Sequence, residues 1–216
     1  MKNLIPLVFT IFFSSCNQSD SDKNNIDDNA IKLKPDSSKT IIDTIHKKKN
    51  DSILLFQMAT KILNTVKNRD YKRLAPFIHP QHGIRFSAHA NIDTIKDRKF
   101  SVDELITLAK QNRKISWNSG WTDDAELLNV NQYFSKYIYD VDFLNAELKS
   151  LNKFHSQGTE LNNIKEIYPG CNVVELFFSG FEKKYEGIDF RALRLVFKMQ
   201  DKIFYLIAIV HDQWTP

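Results

Sequence analysis

With 216 residues, 26% of them charged, and a formal net charge of only +4, the chain lacks the concentrated basic field that nucleic-acid binding draws on. Its two cysteines, Cys16 and Cys171, rule out a disulfide-rich scaffold. The one long apolar run, Leu4 to Phe13, is too short to span a bilayer.

That run follows a basic lead, Met1-Lys2-Asn3, and precedes the small residues Ser14-Ser15 and then Cys16, the order of an export signal with its cleavage site. These residues resemble the lipobox of bacterial lipoproteins, although Phe13 stands where Leu is usual. The resemblance implies that residues 1–15 are removed and that Cys16 is diacylated as the new N-terminus, which anchors the chain to a membrane of the bacterial cell envelope. From Asn17 to Asn50 there is no aromatic residue, and Asp, Lys, Asn and Ser dominate. Such a composition buries too little apolar surface to offset its ordering entropy, so residues 16–50 are expected to form a disordered tether. As flexible coil the tether reaches ~30 Å. Ser19-Asp20-Ser21-Asp22 resembles the acidic signals that send some lipoproteins of Bacteroidota to the cell surface. The outer membrane is the expected location, with the leaflet left open.

Residues 51–216 have the size of one domain. Residues 1–15 carry one Lys and residues 17–50 carry seven Lys against six Asp, which leaves this domain at +2. Asn50-Asp51-Ser52 offers helix caps, and Leu55, Phe56, Ala59, Ile62, Leu63 and Val66 follow at the spacing of one helical stripe. Asp70 can cap a second, short helix carrying Leu74, Phe77 and Ile78, which Pro80 stops. Gly83 to Ser87 reads as a strand with Ile84 and Phe86 facing away from Arg85. Ser101-Val102-Asp103-Glu104 is a capping box that opens a third helix. Trp117 to Trp121 forms a turn, and Tyr133, Phe134, Tyr137 and Ile138 give a fourth helix an aromatic side.

Four strand-like runs come next: Ile164–Tyr168, Val173–Phe178, Arg191–Lys198 and Ile203–Val210. The last two form a hairpin turned at Asp201-Lys202, with Phe204, Leu206, Ala208 and Val210 sharing a face by period two. Helices first and strands afterwards argue for an α+β fold, with N-terminal helices packed on a curved antiparallel sheet of four main strands. Val173–Phe178 is apolar on both sides, so the face away from the helices must curl over itself, enclose a pocket or meet a second chain.

This order of elements resembles the cone-shaped fold of the nuclear transport factor two and ketosteroid isomerase superfamily. More closely, His79-Pro80, Gly83 to Ser87, Tyr185-Glu186-Gly187, Leu193 to Phe197 and the ending His211-Asp212-Gln213-Trp214-Thr215 resemble a family of bacterial exported or lipid-anchored domains. That family usually has Pro and Tyr after the Ser of the short strand, where this chain has Ala88-His89. It brings no activity to carry over.

For catalysis the candidate residues are His211 as general base, Asp189 or Asp212 to orient it, and Arg85 or Arg191 to stabilise a developing anion. For ligand binding they are Arg85, Tyr185, Arg191 and Trp214, with the loop Gly180–Gly187 as a lid or contact surface. His79, His82 and His89 lie close in sequence but lack a metal site's spacing, so neither metal nor cofactor is expected. Trp214, just past the most apolar strand, is expected to be buried as a closure of the sheet. The leading expectation is a lipid-anchored extracytoplasmic module that binds a small polar ligand, a peptide or an envelope protein. One alternative is a pocket enzyme of the hydratase, isomerase or hydrolase type, and another a structural envelope protein that dimerises through its sheet.

The lipobox reading predicts that the chain takes up a fatty-acid analogue in its host and that Cys16→Ser abolishes both labelling and membrane retention. A Cys16→Ser protein that still labels and sediments with membranes overturns it.

Overall fold

A computed structural model describes residues 37–119, 125–155 and 161–214. Residues 1–36 with Cys16, the turn at Gly120-Trp121 and the terminal Thr215-Pro216 lie outside the described residues. Helix α1 spans Ser37–Lys67, so it begins upstream of the expected caps. Ser52 is a helix-interior residue whose hydroxyl donates to the carbonyl of Lys49 at 2.8 Å. No Gly or Pro interrupts residues 37–67, and the packed stripe from Leu55 to Val66 supplies the costly nucleus from which the helix extends upstream, so a polar composition does not argue against it. The expected stripe is the buried one: Leu55, Ala59, Ile62, Leu63 and Val66 are at most 2% exposed. No helix among the described residues is long and apolar enough to cross a membrane.

Asp70 caps α2 (Tyr71–Leu74) by accepting from the amide of Arg73. After the turn through Pro80 come β1 (Ile84–Ser87) and β2 (Lys99–Phe100). Helix α3 (Val102–Gln111) opens on the expected capping box between Ser101 and Glu104. A small hairpin, β3 (Ile115–Trp117) with β4 (Glu126–Leu128), leads into α4 (Val130–Tyr133) and a π-helical turn over Phe134–Ile138. Its aromatic side is buried, with Tyr133 stacked on Trp117 at 3.8 Å and Phe134 against Phe86 at 5.1 Å. Then follow β5 (Leu148–Leu151), α5 (Ile164–Ile167), β6 (Asn172–Phe178), β7 (Arg191–Gln200) and β8 (Ile203–Gln213).

The fold is α+β, with helices on a curved, mostly antiparallel sheet ordered β2-β1-β8-β7-β6-β5. It has six strands rather than four, and β1 runs parallel to β8. Ile164–Tyr168, expected as a strand, is a helical turn: the Asn162 side chain accepts from the Ile164 amide, and Tyr168 N closes on Ile164 O at 2.8 Å. The edge strand opposite β6 is instead Leu148–Leu151, four residues too short and too mixed to announce themselves.

Asp201 and Lys202 both have positive φ, the mirror-image turn whose twist suits a two-residue hairpin. Within that hairpin Val196 pairs with Ala208 while Phe197 pairs with Leu206, so Ile207 is an extra, bulged residue. The bulge reverses the alternation. Phe204 and Leu206 belong to the helix-side core with Ile209, whereas Ile207, Ala208 and Val210 belong to the opposite face. Period two alone had put 204, 206, 208 and 210 together. The opposite face carries its own apolar cluster, in which Val173, Val196 and Val210 meet Ile92, Ile164, Phe154 and Cys171. The segment after β5 folds back to supply much of this cover.

Gly83 sits at φ +63°, and a Cβ there would lie 2.1 Å from the carbonyl oxygen of Phe100. Gly83→Ala should therefore cost on the order of 2 kcal/mol or more, as β2 is pushed off β1. Denaturant melts check this, and a wild-type midpoint would contradict it.

Candidate functional site

Past the bulge, odd-numbered residues of β8 face the helices, so His211 enters the core while Asp212 points to the other side. The imidazole is fully buried, edge-on to Phe143. Its Nε2 lies 3.1 Å from Asp140 Oδ1, and the second oxygen of Asp140 accepts from Arg191 Nε at 2.8 Å. Arg191 also donates to the carbonyls of Asp189 and Phe190. Burial alone would push the Asp140 carboxyl up, but His211 and Arg191 outweigh it and hold it below the usual carboxylate value. His211 Nδ1 has no hydrogen-bond partner.

The residue that orients His211 is thus Asp140, which the sequence reading did not single out; it comes from the loop after the π turn, 71 residues away. Asp212 and Asp189 do other work. Asp212 accepts from Arg194 Nη2 at 2.7 Å on the far face of the sheet, where Arg194 Nε also donates to Glu175 at 2.8 Å. Arg194 and Glu175 are fully buried, Phe154 lies 5.0 Å from the guanidinium, and the His155 amide donates to Glu175. Asp189 accepts from the amides of Phe181 and Glu182 and closes the loop between β6 and β7. His211, Asp140 and Arg191 form a buried chain that leaves only His211 Nδ1 unpaired among its ring and carboxylate atoms, and its position in the core suits orientation and packing.

Trp214 is 39% exposed, so it does not close the sheet as expected. The chain leaves β8 after Gln213, and the indole stays at the rim beyond the strand end. Tyr185 is 43% exposed on the loop. Arg191 and Lys198 stand seven residues apart on β7, roughly 23 Å along a strand. The four expected ligand residues therefore divide: Arg191, Tyr185 and Trp214 belong to the Arg191 end of the sheet, and Arg85 to the other.

Around Arg85 there is a cleft of about 380 Å³ between the β1–β2 edge and the turn after α5. Arg85, Lys99, Lys198 and His82 supply its polar side, and Ile167, Tyr168, Pro169, Cys171 and Ile207 much of the rest. Arg85 and Lys99 face one another by register. Arg85 Nη1 donates to the carbonyls of Thr94 and Asp97 at 3.1 and 2.8 Å, which fixes the guanidinium and leaves three of its N–H groups uncommitted to backbone. Lys198 Nζ donates to His82 Nε2 at 2.7 Å. Beneath, His79 Nδ1 accepts from the amides of Gln81 and His82, and its ring meets His82 at 4.3 Å.

No protein-family model, curated protein or solved structure matches this chain. Slight desolvation on this exposed residue, then Lys198, His79 and Lys99, push His82 below its ordinary value and favour the neutral imidazole. Burial raises the Tyr168 phenol and the Cys171 thiol, so neither brings negative charge. Among the described residues no carboxylate lines the cleft. Among the described residues none of Arg85, Lys99 and Lys198 forms an ion pair. The nearest acids belong to the 93–97 turn behind Arg85, where Asp93 accepts from the amides of Ile95 and Lys96. His89 is elsewhere, bonded to the carbonyl of Ser119, and among the described residues no three His, Cys, Asp or Glu gather as a metal set. Sequence reasoning found Arg85 but missed Lys99, Lys198 and His82 as its companions, because Lys198 lies more than 100 residues from Arg85 and His82.

The Asp140 hub generates a prediction with a pH signature. Its folded value lies below the unpaired 3.8, so the stability it lends is present in full above pH 3.8 and is lost as pH falls through the folded value. Asp140→Asn should cost about 3 kcal/mol at neutral pH. The gap to wild type should narrow only below pH 3.8. A gap of constant size down to the acid transition would mean that the carboxylate's charge is immaterial.

Proposed function

We propose that this chain is a membrane-tethered binding module of the bacterial envelope that holds a small anionic ligand in the cleft around Arg85. The observation that carries the reading is the convergence of Arg85, Lys99 and Lys198 on one cavity that no carboxylate lines among the described residues. Like charges brought together in a partly desolvated cleft raise the energy of the empty state, and an anion relieves it. The cleft volume of about 380 Å³ lies within the range of small-molecule sites.

The lipid anchor at Cys16 places the module at a membrane surface in this reading, most simply at the outer membrane. Helices packed on a curved sheet support a place in the cone-shaped superfamily of nuclear transport factor two and ketosteroid isomerase. In that case the ligand cleft here lies on the sheet face away from α1, where Ile207 and the α5 turn form the wall.

Calorimetric titration of the protein with inorganic phosphate tests the reading. Arg85→Gln and Lys198→Met should each weaken binding about tenfold, equivalent to about 1.4 kcal/mol. Lys183→Gln, which removes an exposed cation outside the cleft, should leave it unchanged. Equal affinity in all four proteins would overturn the assignment of the site.

A further inference from the structure

Resting on the anion-binding reading, the chemistry of the cleft narrows the ligand class. We infer that the cleft takes a phosphomonoester, with the dianionic phosphate on Arg85, Lys198 and Lys99 and a compact apolar or ring-shaped body against Ile167, Pro169 and Ile207.

Charge count is the first argument. Arg85 already feels the Asp93 and Asp97 carboxylates, so the single charge of a monocarboxylate or a phosphodiester leaves one of Lys99 and Lys198 uncompensated. A phosphomonoester carries nearly two charges at neutral pH and three acceptor oxygens. Those oxygens suit the planar fork of Arg85, with ammonium groups supplied by Lys99 on the neighbouring β2 and by Lys198 on β7. Arg85 is already fixed by the Thr94 and Asp97 carbonyls, so little of its side-chain entropy remains to be lost on binding.

Shape is the second. The cavity exceeds what a bare phosphate fills, and its remaining wall is apolar, built by the α5 turn and by the bulged residue of β8. A bulge that aims one side chain into a cavity is a common device next to binding sites. Ile207 is only 6% exposed, so the body of the ligand would cover it rather than create new exposure.

His82 supplies an independent readout. It is faced by Lys198 from β7, Lys99 from β2 and His79 from its own turn, with Arg85 on β1 and Tyr168 and Cys171 across the cleft. Lys198 donates to its Nε2. A bound dianion draws Lys198 away and reverses the local potential, so the imidazole takes up a proton.

The test titrates the full chain with phenyl phosphate, with methyl phenyl phosphate and with benzoate, following heats and the ¹³C imidazole resonances of His82. The expected result is at least tenfold tighter binding of the monoester than of the diester or the carboxylate. Its complex should show an upward displacement of the His82 titration. Anions that bind through Arg85 and Lys198 without preference for the monoester overturn this inference and leave the anion-binding reading standing. If no anion binds, both fail. Vesicles separate the sources of the phosphate. Retention on phosphatidic acid vesicles but not on phosphatidylglycerol vesicles of equal charge, competed by phenyl phosphate and lost in Arg85→Gln, assigns a lipid headgroup. Tight monoester binding without vesicle retention assigns a soluble phosphate ester.

Discussion

The extra residue in the β7–β8 hairpin sets the sides of the sheet for everything downstream of it. Up to Leu206 the even-numbered residues of β8 face the helices, and from Ile209 onward the odd-numbered ones do. Regular alternation from Leu206 would instead turn His211 out of the core, turn Asp212 in, and move Ala208 to the helix side. Three features that look unrelated in sequence therefore depend on one irregular pairing between Val196 and Phe197.

Because β6, β7 and β8 are covered on both faces, their polar side chains had to be satisfied internally. Two separate ionic groups do this. Arg194 lies between Glu175 and Asp212 on one face, and Asp140 lies between His211 and Arg191 on the other. Such buried pairs contribute little relative to apolar packing, yet removing one partner strands the rest, so they act mainly to fix register. Each joins neighbouring strands: Glu175 is opposite Arg194 in the β6–β7 ladder, and Leu193 opposite His211 in the next. They also account for the candidate general base without assigning it chemistry, since the imidazole is enclosed and its partner is committed to Arg191.

The cleft obeys the opposite rule. Among the described residues its cations form no ion pair with a carboxylate, while the rest of the domain pairs its buried charges with care. A domain with a net charge near zero gains nothing in solubility from concentrating three cations in one cavity. The arrangement weakens the empty fold locally, and a ligand that supplies the missing charge restores what was lost.

The helices and the hairpin were legible because their signals are local. The Leu55 to Val66 stripe, the capping box at Ser101 and the Asp201-Lys202 turn each act over a few residues. The length of α1 was not, because burial arguments are silent about polar turns that extend upstream from a packed stripe. Local signals also could not reveal that β1 lies parallel to β8, or that Leu148–Leu151 completes the edge, since short strands owe their state to the neighbour that pairs with them. The sequence by itself determined the residue types available to a site: arginines and lysines on alternating strands, a His-Asp ending, and acids in loops. Tertiary structure alone decided their company. One bulge separated His211 from Asp212, a distant loop gave His211 its carboxylate in Asp140, and the pairing of first and last strands brought Arg85 and Lys198 to one cavity. Contacts across so many residues depend on register and closure, which no window of sequence contains.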